Sequence, residues 1–276
     1  MNLSALTPRS AWLPLTPRGV AAFARARYRR LLVAQFLVAL LVGAVMVWLL
    51  RTAFLPPLHT ALERLPDGAQ LADGTLQWPV TAPVLLGENR FFSVAVDLDH
   101  SANYASSAHV QLQFGEHDWQ IASVFGVLDI ASLDTRYPQH LTLPLDRAAA
   151  EPWWSAREPF FLLFIMLGVM AGLFVSWLFL ATLYAPVAWL AGFYTNRELT
   201  LGGSWRLAGA ALMPGALIMA GALVLYGLRW SGLGRLGLAF TLHLIVGWIY
   251  LFVSPLFLPR HPETTSAGAN PFDAKP

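Results

Sequence analysis

The chain has 276 residues, of which 56% are hydrophobic and only 12% charged, whereas a soluble domain carries about 25% charged residues. That balance, with a positive mean hydropathy, excludes an ordinary soluble globular protein and marks an integral membrane protein. Cysteine is absent, which excludes disulfides, thiolate catalysis and cysteine metal sites.

A formal net charge of +2 conceals a segregation along the chain. Residues 1–30 contain Arg9, Arg18, Arg25, Arg27, Arg29 and Arg30 and no carboxylate, whereas Arg51 to Glu158 holds thirteen Asp or Glu against six Arg. Arginine-rich flanks stay in the cytoplasm and acid-rich segments cross more easily. The basic residues act as topology determinants rather than a nucleic-acid footprint, so nucleic acid is not an expected partner.

Residues 1–30 form a cytoplasmic Arg-rich segment, within which Val20 to Arg30 suggests either a short interfacial helix or a solvated positive flank. Residues 31–50, LLVAQFLVALLVGAVMVWLL, lack any charge and predict the first transmembrane helix, an uncleaved signal anchor with its N-terminus inside. Pro56 and Pro57 are expected to end it, followed by a short amphipathic turn carrying Leu58, Leu62 and Leu65.

Residues 51–158 then read as one small extracytoplasmic β-rich domain. Strand-like runs are Thr75 to Trp78, Phe92 to Leu98, Ala108 to Phe114, Trp119 to Phe125 and Leu141 to Leu145. The clearest pairing joins Val110, Leu112 and Phe114 to Trp119, Ile121, Ser123 and Phe125 across Gly115-Glu116-His117-Asp118, a β-hairpin in a mainly antiparallel sheet.

Three further spans are expected at 159–184, 207–228 and 236–258. Trp153 and Trp154 stand at the outer interface, and 185–206 forms a cytoplasmic interfacial segment. The resulting fold class is a membrane α-helical bundle of four transmembrane helices with an inserted small β-rich (α+β) domain. Four spans place both termini in the cytoplasm, the RWSGLGR turn outside, and residues 259–276 in a disordered cytoplasmic tail.

Ionisable residues inside a bilayer are the default functional candidates, because their burial in hydrocarbon is costly. Here the intramembrane polar residues are Gln35 and His243, with no Asp, Glu, Lys or Arg at depth. His243 is expected to serve a helix contact ahead of catalysis or ligand binding. Pro214 should kink the third span. Gly168 and Gly172 make a small-xxx-small pattern suited to packing within the chain, and the same pattern allows a homodimer.

Outside the membrane, Asp97, Asp99, His117 and Asp118 are the candidate metal ligands, with His100, His109 and Glu116 nearby. A site needs three or four of them to converge, and turn positions account equally for their polarity. Gly202-Gly203-Ser204 lacks the lysine and spacing of a phosphate loop, and no serine-nucleophile or zincin motif occurs. No catalytic or cofactor-binding residue, and no cofactor, is assigned.

The Arg-rich start, the single anchor, the run LERLPDGAQLADGTLQWP from Leu62 to Pro79 and FFSVAVDLDH from Phe91 to His100 carry a likeness. Together with three closing spans, the chain resembles an uncharacterised family of bacterial polytopic membrane proteins with an extracytoplasmic domain between the first two helices. The likeness runs from about Arg25 to Leu258 and implies the architecture without an activity or catalytic residues.

The reading that follows is a non-enzymatic accessory or assembly subunit of the bacterial inner membrane. It displays its domain to the periplasm or exterior, with the lipid bilayer and a membrane or extracytoplasmic protein as partners. The alternatives are a small-solute or lipid transport component working beside His243 and Pro214, and a metal-dependent extracytoplasmic enzyme.

Overall fold

Apolar residues take over from arginine at Leu31, and the helix that forms there does not stop at the prolines. The computed structural model describes residues 14–99, 108–123 and 136–260; His100, Phe125 and the tail from 261 lie outside them. These residues belong to two compact units, one of Met1–Val42, Met170–Ala222 and Gly237–Pro276, the other of Gly43–Val169 and Leu223–Leu236. Among the described residues, four helices are long and apolar enough to cross a membrane.

Helix α1 (Pro17–Phe23) is capped by Thr16, whose Oγ1 accepts from the Gly19 N–H at 3.1 Å, and Pro17 opens its first turn. Its Val20, Ala21 and Phe23 are buried against the 3₁₀ turn Ser254–Phe257 that closes the last helix. Tyr250 donates to Leu15 O at 2.6 Å, and Arg18 stacks over Phe257. A short helix thus forms here, and the expected exposure of Val20 and Phe23 to headgroups is corrected: both side chains are buried in protein.

Helix α2 (Tyr28–Leu49) runs through a π-helical turn (Leu50–Phe54) into α3 (Leu55–Glu63), giving one continuous helical stretch from Tyr28 to Glu63. The expected break at Pro56 and Pro57 is absent. Both rings sit in the first turn of α3, where a missing N–H is tolerated, and the π turn opens the coil just ahead of them.

Strands β1 (Gln70–Ala72) and β2 (Thr75–Gln77) form a hairpin on Asp73-Gly74, both at positive φ (50° and 77°). Strands β3 (Val84–Glu88), β4 (Phe92–Val96), β5 (Val110–Phe114) and β6 (Trp119–Ser123) form a second sheet in the order β3-β4-β5-β6. The expected hairpin is there as β5 and β6, with Phe114 opposite Trp119. The pairing is mainly antiparallel, as expected, with β4 and β5 the parallel pair. Strand β7 (Thr142–Pro144) joins β1, completing a three-stranded sheet β2-β1-β7.

Helix α3 lies on β3 and β4, and its Ala61 joins Leu76, Leu86, Val94 and Val96 in the buried centre of this unit. The two sheets connect where the Leu76 N–H donates to Glu116 O at 2.7 Å. The domain core is thus completed by the extension of the first membrane helix.

Helix α4 (Arg147–Tyr194) is 48 residues long, about 72 Å at 1.5 Å per residue, against a hydrocarbon core of about 30 Å. It passes unbroken through Pro152, Pro159 and Pro186. A separate segment at 185–206 therefore does not form: Ala185 and Ala188 are buried and continue the helix, while residues from Leu201 begin the next. The end of α4 is a Schellman turn, with Asn196 at φ 55° and the Arg197 N–H on Gly192 O at 2.8 Å.

Helix α5 (Leu201–Gly227) starts on the Thr200 cap, where the Gly203 N–H meets Oγ1 at 3.1 Å. Its apolar window is 61% buried, against 39% for the first span, 17% for α4 and 11% for α6 (Leu233–Val253), so α5 is the helix most enclosed by protein. Small residues make this possible. Ala208, Ala210 and Ala211 are fully enclosed, and a Cβ on Gly215 would stand 2.5 Å from His243 O. The two residues expected to begin the tail, Pro259 and Arg260, are held by Glu198 and Arg197.

The close approach of β3 to α3 has a measurable consequence. A Cβ at Gly87 would lie 2.1 Å from the backbone oxygen of Pro57, an atom that cannot rotate away. Gly87→Ala should destabilise this unit by about 3 kcal/mol, as overpacking does, read as a lower midpoint for thermal unfolding of the full chain in detergent.

Candidate functional site

Proline chemistry decides how the β strands are fastened to the helix. In an α-helix the Ala53 carbonyl would take its hydrogen bond from residue 57, but Pro57 has no N–H. Asn89 supplies the donor instead, its Nδ2 reaching Ala53 O at 2.7 Å. The Asn89 Oδ1 accepts from the Phe91 and Phe92 N–H groups at 2.8 and 3.0 Å, and its own N–H closes the turn on Phe92 O. One side chain therefore ties the β3-β4 turn to the helix.

A second attachment lies at the α5-α6 turn. His109 stacks on Tyr226 with ring centroids 5.6 Å apart, and Nδ1 and the phenol oxygen are 2.5 Å apart. Phe91 packs edge-on to both rings, and Arg90 reaches Ser231 O at 3.4 Å. Burial, and then the Arg90 charge, hold the His109 imidazole below its usual pKa. A neutral imidazole can accept the phenol proton at Nδ1, whereas an imidazolium cannot.

A cleft of about 280 Å³ lies between α3 and the start of α4, lined by His59, Glu63, Glu151, Trp154, Ser155 and Glu158. His59 Nε2 stands 2.8 Å from Glu158 Oε2 and 3.4 Å from Trp154 Nε1. A single ring nitrogen cannot donate to one and accept from the other, and the shorter contact assigns its proton to Glu158. Glu151 is paired with Arg147 at 3.1 Å. Chemically the cleft offers carboxylates beside an indole face, a setting for a cationic side chain.

The residues singled out in the sequence do not gather there. Asp97 is buried and Asp99 exposed, because β4 ends at Val96 and the alternation that would put both on one face stops with it. His117 is exposed and meets Thr75 Oγ1 at 3.4 Å, while Asp118 pairs along the backbone with Arg136. Among the described residues no three His, Asp or Glu side chains converge as a metal would require. Tyr137 donates to Gly115 O at 3.2 Å, and burial, reinforced by the Asp118 charge, pushes its phenol pKa up.

In the spans, buried Gln35 donates to Gly209 O at 3.4 Å. His243 bonds the Phe240 carbonyl of its own helix and takes its place in the packing through its backbone, against Gly215. Among the described residues, nothing beyond the adjoining backbone of its own helix lies within 4 Å of where a Cβ on Gly168 or Gly172 would stand.

His59, Asn89 and Tyr226 were not singled out in the sequence, and His109 was named only beside the candidate metal ligands. Asn89 had a legible signal, an Asn before an aromatic strand and opposite a Pro-Pro pair; the His109-Tyr226 pair, separated by 117 residues, had none. No family model, curated protein or solved structure matches this chain.

Two outcomes follow. Asn89→Asp retains the acceptor but turns an oxygen toward Ala53 O, and should cost about 2 kcal/mol, the penalty of an unsatisfied buried carbonyl, seen as faster amide exchange around Phe54 and Phe92. The His109 pKa is depressed in the folded state, so the stability it contributes is present above pH 6.5 and is lost as pH falls through its lowered value. The thermal midpoint of the wild type should drop between pH 7.5 and pH 5, roughly the window of an imidazole, and the drop should shrink in His109→Phe.

Proposed function

We propose that this chain is a multi-pass protein of the bacterial inner membrane, with both termini cytoplasmic, acting as a non-enzymatic accessory or assembly subunit. It presents residues 51–158 to the periplasm or exterior for recognition by a membrane or extracytoplasmic protein. The observation that carries the reading is the double fastening of the β unit, through Asn89 to Ala53 and through His109 to Tyr226. Both contacts lie within the unit of Gly43–Val169 and Leu223–Leu236, so the strands of that unit pack on helix ends rather than hang on a linker.

Charge supports the orientation, since the arginines precede the first span and the carboxylates follow it. The spans bring Gln35 and His243 into backbone contacts, and α5 meets α6 closely at Gly215, a junction suited to scaffolding.

The absence of cysteine makes the test clean. In intact cells, a membrane-impermeant maleimide should label Asp67→Cys and leave Tyr194→Cys unlabelled until the membrane is opened. Ser155→Cys, on the exposed lip of the cleft, should give a discrete crosslinked product with another protein. Labelling of Tyr194→Cys from outside would reverse the orientation, and repeated failure of Ser155→Cys and Asp67→Cys to capture any protein in native membranes would count against the accessory role.

A further inference from the structure

The arginines at the N-terminal end of the first span do not share one fate. Arg25 forms an ion pair with Glu198 at 2.5 Å. Arg206 donates to Ala24 O at 2.6 Å and lies over the Tyr28 ring, and Arg197 donates to Leu258 O. These three charges serve the fold. Arg27, Arg29 and Arg30 are exposed, and none has a side-chain hydrogen bond or ion pair among the described residues.

Their position is electrostatically adverse within the protein. They stand before and within the first turn of α2, which contains no acidic residue, at the end where the helix dipole is positive and cations are disfavoured. Among the described residues no carboxylate pairs with them. Tyr28 lies among them and packs against Trp205 with ring centroids 5.9 Å apart, and Trp205 donates to Thr182 at 3.1 Å. Such amphipathic aromatic pairs sit at headgroup level, and Leu31, where the apolar run begins, follows Arg30 directly. The three guanidinium groups therefore stand at the depth of lipid phosphates.

We propose that Arg27, Arg29 and Arg30 form a docking surface for anionic phospholipid headgroups in the leaflet that meets the first turn of α2. Charge complementarity identifies the occupant. A guanidinium pairs bidentately with a phosphodiester, and a lipid with net negative charge satisfies both the arginines and the helix end, whereas a zwitterionic lipid brings its own cation. The surface rests on α2 crossing the bilayer, and is independent of any role as an accessory subunit.

The test uses the full chain reconstituted into phosphatidylcholine vesicles containing a minority of phosphatidylglycerol, with the lipid retained around the protein quantified after extraction into nanodiscs. Phosphatidylglycerol should be enriched over the vesicle composition by at least about threefold, and the enrichment should collapse as salt rises from about 0.05 M to about 0.5 M. The triple variant Arg27→Gln, Arg29→Gln, Arg30→Gln should lose it. The corresponding triple Lys variant should keep it, as should Arg229→Gln with Arg235→Gln.

Enrichment that survives in the triple Gln variant overturns the proposal. So does displacement of the lipid by millimolar inorganic phosphate, which would assign the site to a free anion. If the triple Gln variant fails to fold, the wild-type salt series decides, and absent or salt-insensitive enrichment is fatal. No partner protein is present in the vesicles, so failure here leaves the accessory role standing, and the reverse holds for the crosslinking experiment.

Discussion

A carbonyl deprived of its donor organises the β-bearing unit of this protein. Because Pro57 has no N–H, Ala53 O needs an outside partner, and Asn89 is that partner. From this one bond follow the position of the β3-β4 turn, the approach of Gly87 to Pro57 O and the use of Ala61 as a core residue. The prolines mark where the first membrane helix acquires a β domain, rather than where it ends.

The bundle obeys a different constraint. With hydrocarbon as the surrounding solvent, apolar side chains gain little by facing one another, and helices associate through close backbone packing and a few polar contacts. Helix α5 meets that condition with Gly209 beside Gln35 and Gly215 beside His243 O, and it is the most buried span. Helices α4 and α6 instead expose Phe164, Phe179, Leu238 and Phe240, as lipid-facing surfaces do. Gln35 thus belongs to packing between helices, whereas the His243 side chain turns back onto its own helix.

Local patterns were legible where neighbouring residues decide the outcome. The β5-β6 hairpin follows from alternation around a polar turn, and the spans follow from charge-free runs. The Asp73-Gly74 hairpin carried an equally local signal that the apolar pattern around it concealed. What misled was punctuation read without its tertiary setting: Pro56 and Pro57 as a stop, the aromatic mixture at 185–206 as an interfacial segment, and Val20 and Phe23 as headgroup contacts. Each is a weak local preference overruled by burial, through the π turn, the buried Ala185 and Ala188, and the 3₁₀ turn under α1.

Composition and order along the chain were sufficient for four apolar spans and for a polar, acid-rich β region between the first two, because bilayer thickness and the cost of exposed backbone leave few alternatives. They could not reveal which residues meet. That His109 stacks on Tyr226, that His59 faces Glu158, and that Asp97 and Asp99 part company at the end of β4 are consequences of packing between segments distant in sequence. The same holds for the arginines: a run of like charges is visible in the chain, but only the folded structure separates Arg25, bound to Glu198, from Arg27, Arg29 and Arg30, because pairing depends on which carboxylate the fold brings within reach.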